Sequence, residues 1–63
     1  MEDCKFFFNM IGGEVIEVSA ECPEEAWSVF YSNMTGLNQD QATSLLRNVT
    51  YLDGDRQRLL WGS

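Results

Sequence analysis

The fold is decided by residues 4–20, which read CKFFFNMIGGEVIEVSA. Strand-forming residues fill both halves of this stretch and two glycines separate them, which predicts a β-hairpin. We expect a three-residue loop of Gly12, Gly13 and Glu14, because it gathers the apolar side chains on one face of the hairpin. The expected cross-strand pairs are Met10 with Ile16, Phe8 with Val18, Phe6 with Ala20 and, on the outer face, Lys5 with Glu21.

Two helices are predicted after the hairpin. Pro23 suits the first position of a helix, apolar residues then recur at helical spacing, and Gly36 is a good stop. A second helix is expected to begin at Asn38, where Gln41 completes the pattern of a capping box. The apolar stripe of this second helix consists of Ala42, Leu45, Leu46 and Val49.

The rest of the chain reads as extended structure. Residues 49–52 read VTYL, Asp53-Gly54 is a turn signal, and residues 56–61 form either a further strand or a loose tail. The predicted order is β-β-α-α-β, with or without a final strand. This is a two-layer α+β fold, in which two helices cover one face of an antiparallel sheet of three to four strands. Residues 1–63 are expected to form a single compact domain.

Composition argues against several classes of function. The chain has no histidine and a single lysine, and no segment matches a phosphate-binding loop or a calcium loop. We therefore expect no catalytic residues, no metal site and no cofactor. No apolar run approaches the roughly 18 residues of a spanning helix, and the beginning of the chain does not read as a signal peptide. These features predict a cytoplasmic protein that does not bind membranes.

The two cysteines are Cys4 and Cys22, and the expected register places them near each other at the open end of the hairpin. In a reducing cytoplasm they act as two small hydrophobic residues. A disulfide requires that the pair stays in register at the fraying end, so the sequence leaves this alternative open.

The net charge of −6 lies entirely in the first half of the chain. Residues 1–31 hold seven acids and one lysine, whereas three acids and three arginines cancel in residues 32–63. Such a charge argues against direct binding to nucleic acid. Five of the acids are expected to line the solvent side of the second strand and the start of the first helix, and we call them the acidic row: Glu14, Glu17, Glu21, Glu24 and Glu25. Alternate strand positions lie roughly 6.6 Å apart, comparable with neighbouring backbone phosphates.

The acidic row has two interpretations. It is typical of a solvated edge that keeps a small protein soluble and discourages strands from aggregating. It also fits a nucleic-acid mimic, whose carboxylates occupy the Lys/Arg groove of a nucleic-acid-binding protein. Phe7 is expected beside the row on the outer face of the hairpin. Phe7 and Trp27 would anchor an interface if exposed, although core packing is the alternative for Trp27.

In size, acidity and α+β layout the chain resembles the small inhibitors that phages encode against host defences, of which anti-CRISPR proteins are the best-known group. The resemblance covers the general character of the whole chain and no shared motif, so no functional residue is carried over. It implies a stoichiometric inhibitor in the host cytoplasm that binds a Cas effector complex and blocks DNA access at a basic surface.

A competing hypothesis is a structural or regulatory module that self-associates. A small sheet with one face covered by helices leaves its other face open, and pairing two such faces would bury Phe7, Ile11 and Val15. The sequence therefore leaves open both a monomer and a homodimer.

Overall fold

A four-stranded antiparallel sheet packs against two helices in the computed structural model, which describes residues 3–62. The elements follow one another as β1 (Cys4–Met10), β2 (Val15–Ala20), α1 (Pro23–Asn33), α2 (Gln39–Ser44), β3 (Leu46–Asp53) and β4 (Arg56–Gly62). Across the sheet the strand order is β2-β1-β3-β4. The predicted α+β fold is confirmed, and the residues left open as a tail form the fourth strand.

The β1–β2 hairpin has the predicted faces, but its predicted register is wrong. Phe8 lies opposite Ile16, two residues from the expected partner. The N–H of Met10 donates to the carbonyl oxygen of Glu14 at 2.7 Å, so the three-residue loop consists of residues 11–13. Such a loop commonly ends on a residue in the left-handed region, and Gly13 provides it with φ +94°. The predicted loop would have placed Glu14 there.

This correction changes the partners at the open end of the hairpin. Lys5 lies opposite Ser19 and not opposite Glu21. Cys4 lies opposite Ala20, so the predicted juxtaposition with Cys22 is wrong, and both cysteines are free thiols. Because the register differs by two residues, each strand residue still keeps its predicted face.

The core lies between the helices and one face of the sheet. Phe8 and Phe30 are fully buried, and their rings stack with centroids 4.5 Å apart and an interplanar angle of 3°. The buried set draws on β1, β2, α1, α2 and β3: Phe6, Phe8, Val18, Ala20, Ala26, Phe30, Ala42, Leu46 and Val49. The opposite face of the sheet, which we call the open face, carries the alternate side chains of the same strands.

Helix α2 has the predicted start but not the predicted length. The Asn38 side chain accepts a hydrogen bond from the Gln41 N–H at 2.8 Å, and the Gln41 side chain accepts one from the Asn38 N–H at 3.1 Å. The helix ends at Ser44, however, and Leu46 and Val49 belong to β3. The β1–β3 pairing skips Arg47, and this bulge turns Leu46 and Val49 toward the same core. The bulge thus places two residues that are three positions apart on the same face of a strand, a spacing that otherwise indicates a helix.

Candidate protein-binding surface

The acidic row borders one edge of the molecule. β2 is an outer strand of the sheet, because β1 is its neighbour on one side and no described strand follows on the other. Glu17 projects from β2 on the open face, while Glu14 precedes the strand and Glu21 follows it. All five carboxylates of the row are exposed. The charge therefore forms a solvated rim around the β2 edge.

The carboxylates along β2 are more widely spaced than neighbouring phosphates. Three residues separate Glu14 from Glu17 and four separate Glu17 from Glu21, which corresponds to about 10 Å and 13 Å of extended backbone. The row therefore matches roughly every second position of a phosphate backbone.

The start of α1 adds the last two acids to this edge. Glu24 and Glu25 lie in the first turn of the helix, where the helix dipole favours anions. The Glu25 carboxylate also accepts the Glu21 N–H at 3.4 Å. Cys22, the N-cap residue, makes no side-chain capping hydrogen bond, and the bond that Glu25 accepts comes from the residue before the N-cap. Glu24 is the member of this pair that remains most available to a partner.

The acidic row is not neutralised by ion pairs within residues 3–62. The one ion pair of this part of the chain joins Arg58 to Asp53 at 3.1 Å, on the β3–β4 hairpin. Lys5 lies on β1 opposite Ser19, which places it diagonally from Glu17 across the hairpin. The two outer strands therefore differ in charge, since β2 is flanked by acids whereas β4 begins with Arg56 and Arg58.

The two aromatic residues predicted for the interface lie on opposite sides of the sheet. Phe7 is half-buried on the open face, between Glu17 on β2 and Thr50 on β3. Trp27 is half-buried on the helix side and contacts four aromatic rings, those of Phe8, Phe30, Tyr31 and Trp61. The structure therefore groups Phe7 with Glu17, and Trp27 with Glu24.

A shallow concavity on the open face contains residues that the sequence reasoning missed. The Asn9 side chain donates to the Asn48 side chain at 2.7 Å, and the Gln57 side chain donates to the Thr50 hydroxyl at 2.8 Å. These four residues line a volume of about 480 Å³ together with Glu14 and its neighbours. The sequence partly indicates the position of Asn9, because Asn9 follows the core residue Phe8 on β1 and therefore belongs to the opposite face of the sheet.

A second concavity, which we call the α1 groove, lies on the helix side. It is lined by Glu24, Trp27, Ser28, Tyr31, Ser32 and Gln39, and its volume is about 490 Å³. All but Gln39 belong to α1 and recur at spacings of three and four residues, which places them along one face of that helix. The sequence analysis gave Trp27 as an interface anchor or a core residue and placed Glu24 in the acidic row, but it did not predict that the two residues line one groove.

Other classes of site find no support in the part of the chain that the structure describes. Within residues 3–62 no three His, Cys, Asp or Glu side chains come close enough together to hold a metal ion. None of the described helices has the length and apolar character needed to cross a membrane. No protein-family model, curated protein sequence or solved structure matches this chain. The surface geometry is therefore the basis on which a function can be assigned.

Proposed function

We propose that this protein is a non-enzymatic inhibitor that blocks a basic nucleic-acid-binding groove of a partner protein by acidic mimicry. The supporting observation is the row of five exposed carboxylates along one edge, free of ion pairs within residues 3–62. In this proposal the partner is a Cas effector complex, the inhibitor is of the phage anti-CRISPR type, and it acts in the cytoplasm of the host cell.

Electrostatics explain why an edge of this kind suits a basic groove. A net charge of −6 on 63 residues produces a negative field that steers the protein toward a positively charged cleft. Effector complexes hold the guide–target duplex in such a positively charged channel, largely through its backbone. An acidic edge that enters the channel would compete with the phosphates without reading any sequence.

Competition for DNA is the direct test. The protein is titrated into a guide-loaded Cas effector bound to labelled target DNA, and displacement is followed by fluorescence anisotropy. We expect the affinity of the protein for the DNA-free effector to weaken strongly as salt rises, because the Debye length falls from about 10 Å at 0.1 M to about 3 Å at 1 M. DNA that stays bound at every inhibitor concentration across a panel of effectors would refute the proposal, as would an affinity for the DNA-free effector that salt leaves unchanged.

Charge reversal locates the interaction on the molecule. The variant Glu21→Lys with Glu24→Lys should weaken displacement by about tenfold or more, since both charges lie on the proposed contact edge. The control is Asp40→Lys with Asp55→Lys, which changes the net charge by the same amount. Asp40 is an especially close match for Glu24, because each is the second residue of its helix. Equal losses in the two variants would contradict mimicry by the acidic row. Circular dichroism confirms that both variants fold.

Self-association through the open face is a second candidate function, favoured by the exposed apolar residues there. Val15 is 57% exposed and Leu59 is 54% exposed, and the half-buried Phe7 lies between their strands. Stable interfaces bury about 800 Å² on each partner, which is the area that a dimer through the open face would have to cover.

Native mass spectrometry at low micromolar concentration tests this second candidate. A dimer should be present and should dissociate in Leu59→Glu, because this substitution places a charge among the exposed apolar residues of the open face. Leu37→Glu is the matched control, because Leu37 is also exposed but lies in the loop between the helices. A monomer, or a dimer that both variants leave intact, would contradict association through the open face.

A further inference from the structure

The α1 groove differs from the acidic row in its chemistry. It combines one carboxylate, on Glu24, with two partly exposed aromatic rings, on Trp27 and Tyr31. The groove is shallow and open, with a volume of about 490 Å³, so it can receive a side chain that lies along its surface. Its composition suits a ligand group that is both charged and flat.

The two rings are held in place by the rest of the fold. Trp27 makes edge-to-face contacts with Phe8 at 5.1 Å and with Phe30 at 6.0 Å between ring centroids. The Tyr31 hydroxyl is within hydrogen-bond distance of the Thr43 hydroxyl, at 3.0 Å. The rings of Trp27 and Tyr31 are tilted by 30° with centroids 5.7 Å apart. A partner would therefore meet a surface that is already ordered, which lowers the entropy cost of binding.

The lining of the groove favours a cation. Aromatic ring faces attract positive charge, tryptophan most strongly, and Glu24 adds a full negative charge at the start of the helix. No lysine or arginine lines the groove among residues 3–62. The hydroxyls of Ser28 and Ser32 and the side-chain carbonyl of Gln39 supply further hydrogen-bond acceptors.

Among protein cations, arginine matches this lining better than lysine. The guanidinium group is planar, stacks on aromatic rings and presents five N–H donors, so it can use the rings, the carboxylate and the hydroxyls together. The lysine ammonium is a compact, strongly hydrated point charge that gains less from a flat ring.

We propose that the α1 groove binds an arginine side chain of the protein partner, stacked on the exposed ring surface of Trp27 and Tyr31 and paired with Glu24. This inference rests on the proposed function, because a basic nucleic-acid-binding groove supplies such arginines. The groove gives the partner a specific contact, whereas the acidic row provides long-range attraction.

The probe is a blocked Gly-Arg-Gly tripeptide, compared with blocked Gly-Lys-Gly. Both are titrated into the ¹⁵N-labelled protein, and the dissociation constants are obtained from NMR chemical shifts. We expect shifts at the Trp27 indole N–H and the Ser28 amide, and an affinity about threefold or more higher for the arginine peptide. Shifts confined to other surfaces, or equal affinities for the two peptides, would overturn the proposal.

Two matched charge variants distinguish binding in the α1 groove from attraction to the negative charge of the whole protein. Glu24→Gln should weaken arginine-peptide binding by about threefold or more. Asp55→Asn removes the same charge from the turn between β3 and β4, outside the acidic row, and should change the affinity less than twofold. Equal effects would show that the affinity of the arginine peptide depends only on the net charge of the protein, which would overturn the proposal. Both substituted residues are exposed, so the variants are expected to fold, and the spectra verify this directly.

The tripeptide measurement contains no inhibited target, so its failure is distinct from failure of the proposed function. If the protein displaces DNA from an effector but the arginine peptide leaves Trp27 unshifted, the inference is wrong and the inhibitor function stands. If the arginine peptide binds the groove and no effector loses its DNA, the groove assignment is supported and the inhibitor function is refuted.

Discussion

Alanine substitutions at Phe7 and Phe8 should have very different effects on stability, although the residues are adjacent. Phe8 is fully buried and stacks on Phe30, so Phe8→Ala removes a core ring and leaves a cavity, at a cost of about 3–5 kcal/mol. A 63-residue domain has a total stability of about 3–9 kcal/mol. The substitution therefore removes a large part of the free energy of unfolding. Phe7 is half-buried on the open face, and Phe7→Ala should cost only about 1 kcal/mol.

Urea denaturation followed by tryptophan fluorescence measures both free energies of unfolding. Trp27 contacts the ring of Phe8 and reports on the core. Because Phe8→Ala removes a large part of the total stability, Phe8→Leu provides a milder core change, expected to cost roughly 1.5 kcal/mol or less. We expect Phe7→Ala and Phe8→Leu to be less stable than wild type and more stable than Phe8→Ala. A loss at Phe7→Ala as large as that at Phe8→Ala would refute the assignment of the two faces.

Three further substitutions test local backbone structure, each by thermal unfolding unless stated otherwise. Gly13→Ala should destabilise the protein by about 1–2 kcal/mol because φ is +94°, whereas Gly12→Ala should be nearly neutral; equal losses would contradict the loop over residues 11–13. Asn38→Ala should cost about 1 kcal/mol through loss of the capping box, and an unchanged midpoint would contradict that bond. Gly62→Ala brings a Cβ to 2.8 Å from the Arg47 carbonyl oxygen and should speed amide hydrogen exchange at the end of the β3–β4 hairpin; unchanged exchange would argue against this close approach.

The faces of the first hairpin could be predicted because alternation alone determines them. Phe6 and Phe8 share a face because they are two residues apart on one strand, and Val18 and Ala20 join that face in any register that differs by an even number of residues. The register itself depended on which glycine takes the left-handed conformation at the end of the loop. Placing Gly13 at that position would have given the observed pairing, so the missing element was turn chemistry and not hydrophobic pattern.

The boundary between α2 and β3 could not be obtained from periodicity. Leu46 and Val49 are three residues apart, which fits a helix, and a bulge at Arg47 gives the same spacing within a strand. What decides between them is the pairing of β3 with β1, a contact between residues about forty positions apart. A pattern confined to a short window does not contain this information.

The charge of the candidate surface could be predicted from the sequence, but which of its residues lie close together could not. Exposure of the acidic row follows from residue type, since unpaired carboxylates remain in water. Phe7 and Trp27 were expected to contribute to one interface, yet the sheet separates them, because strand alternation sends Phe7 to the open face while Trp27 lies on the helix above the other face. The α1 groove was not predicted, because Trp27 and Tyr31 pack against the core and also line the surface, and helical spacing does not show that one side chain does both.

The strand order determines where the acidic residues of the first hairpin lie on the surface of the protein. In the order β2-β1-β3-β4, the acidic arm of the first hairpin lies at a sheet edge, where its carboxylates can be approached from both faces. α1 packs mainly against β2, which brings Glu24 and Glu25 to the same edge and connects the acidic row to the α1 groove through Glu24. On a central strand, the same acids would be limited to the open face. In the function that we propose, this edge position would allow one small protein to combine long-range attraction with a specific contact site, as competition for an occupied basic groove requires.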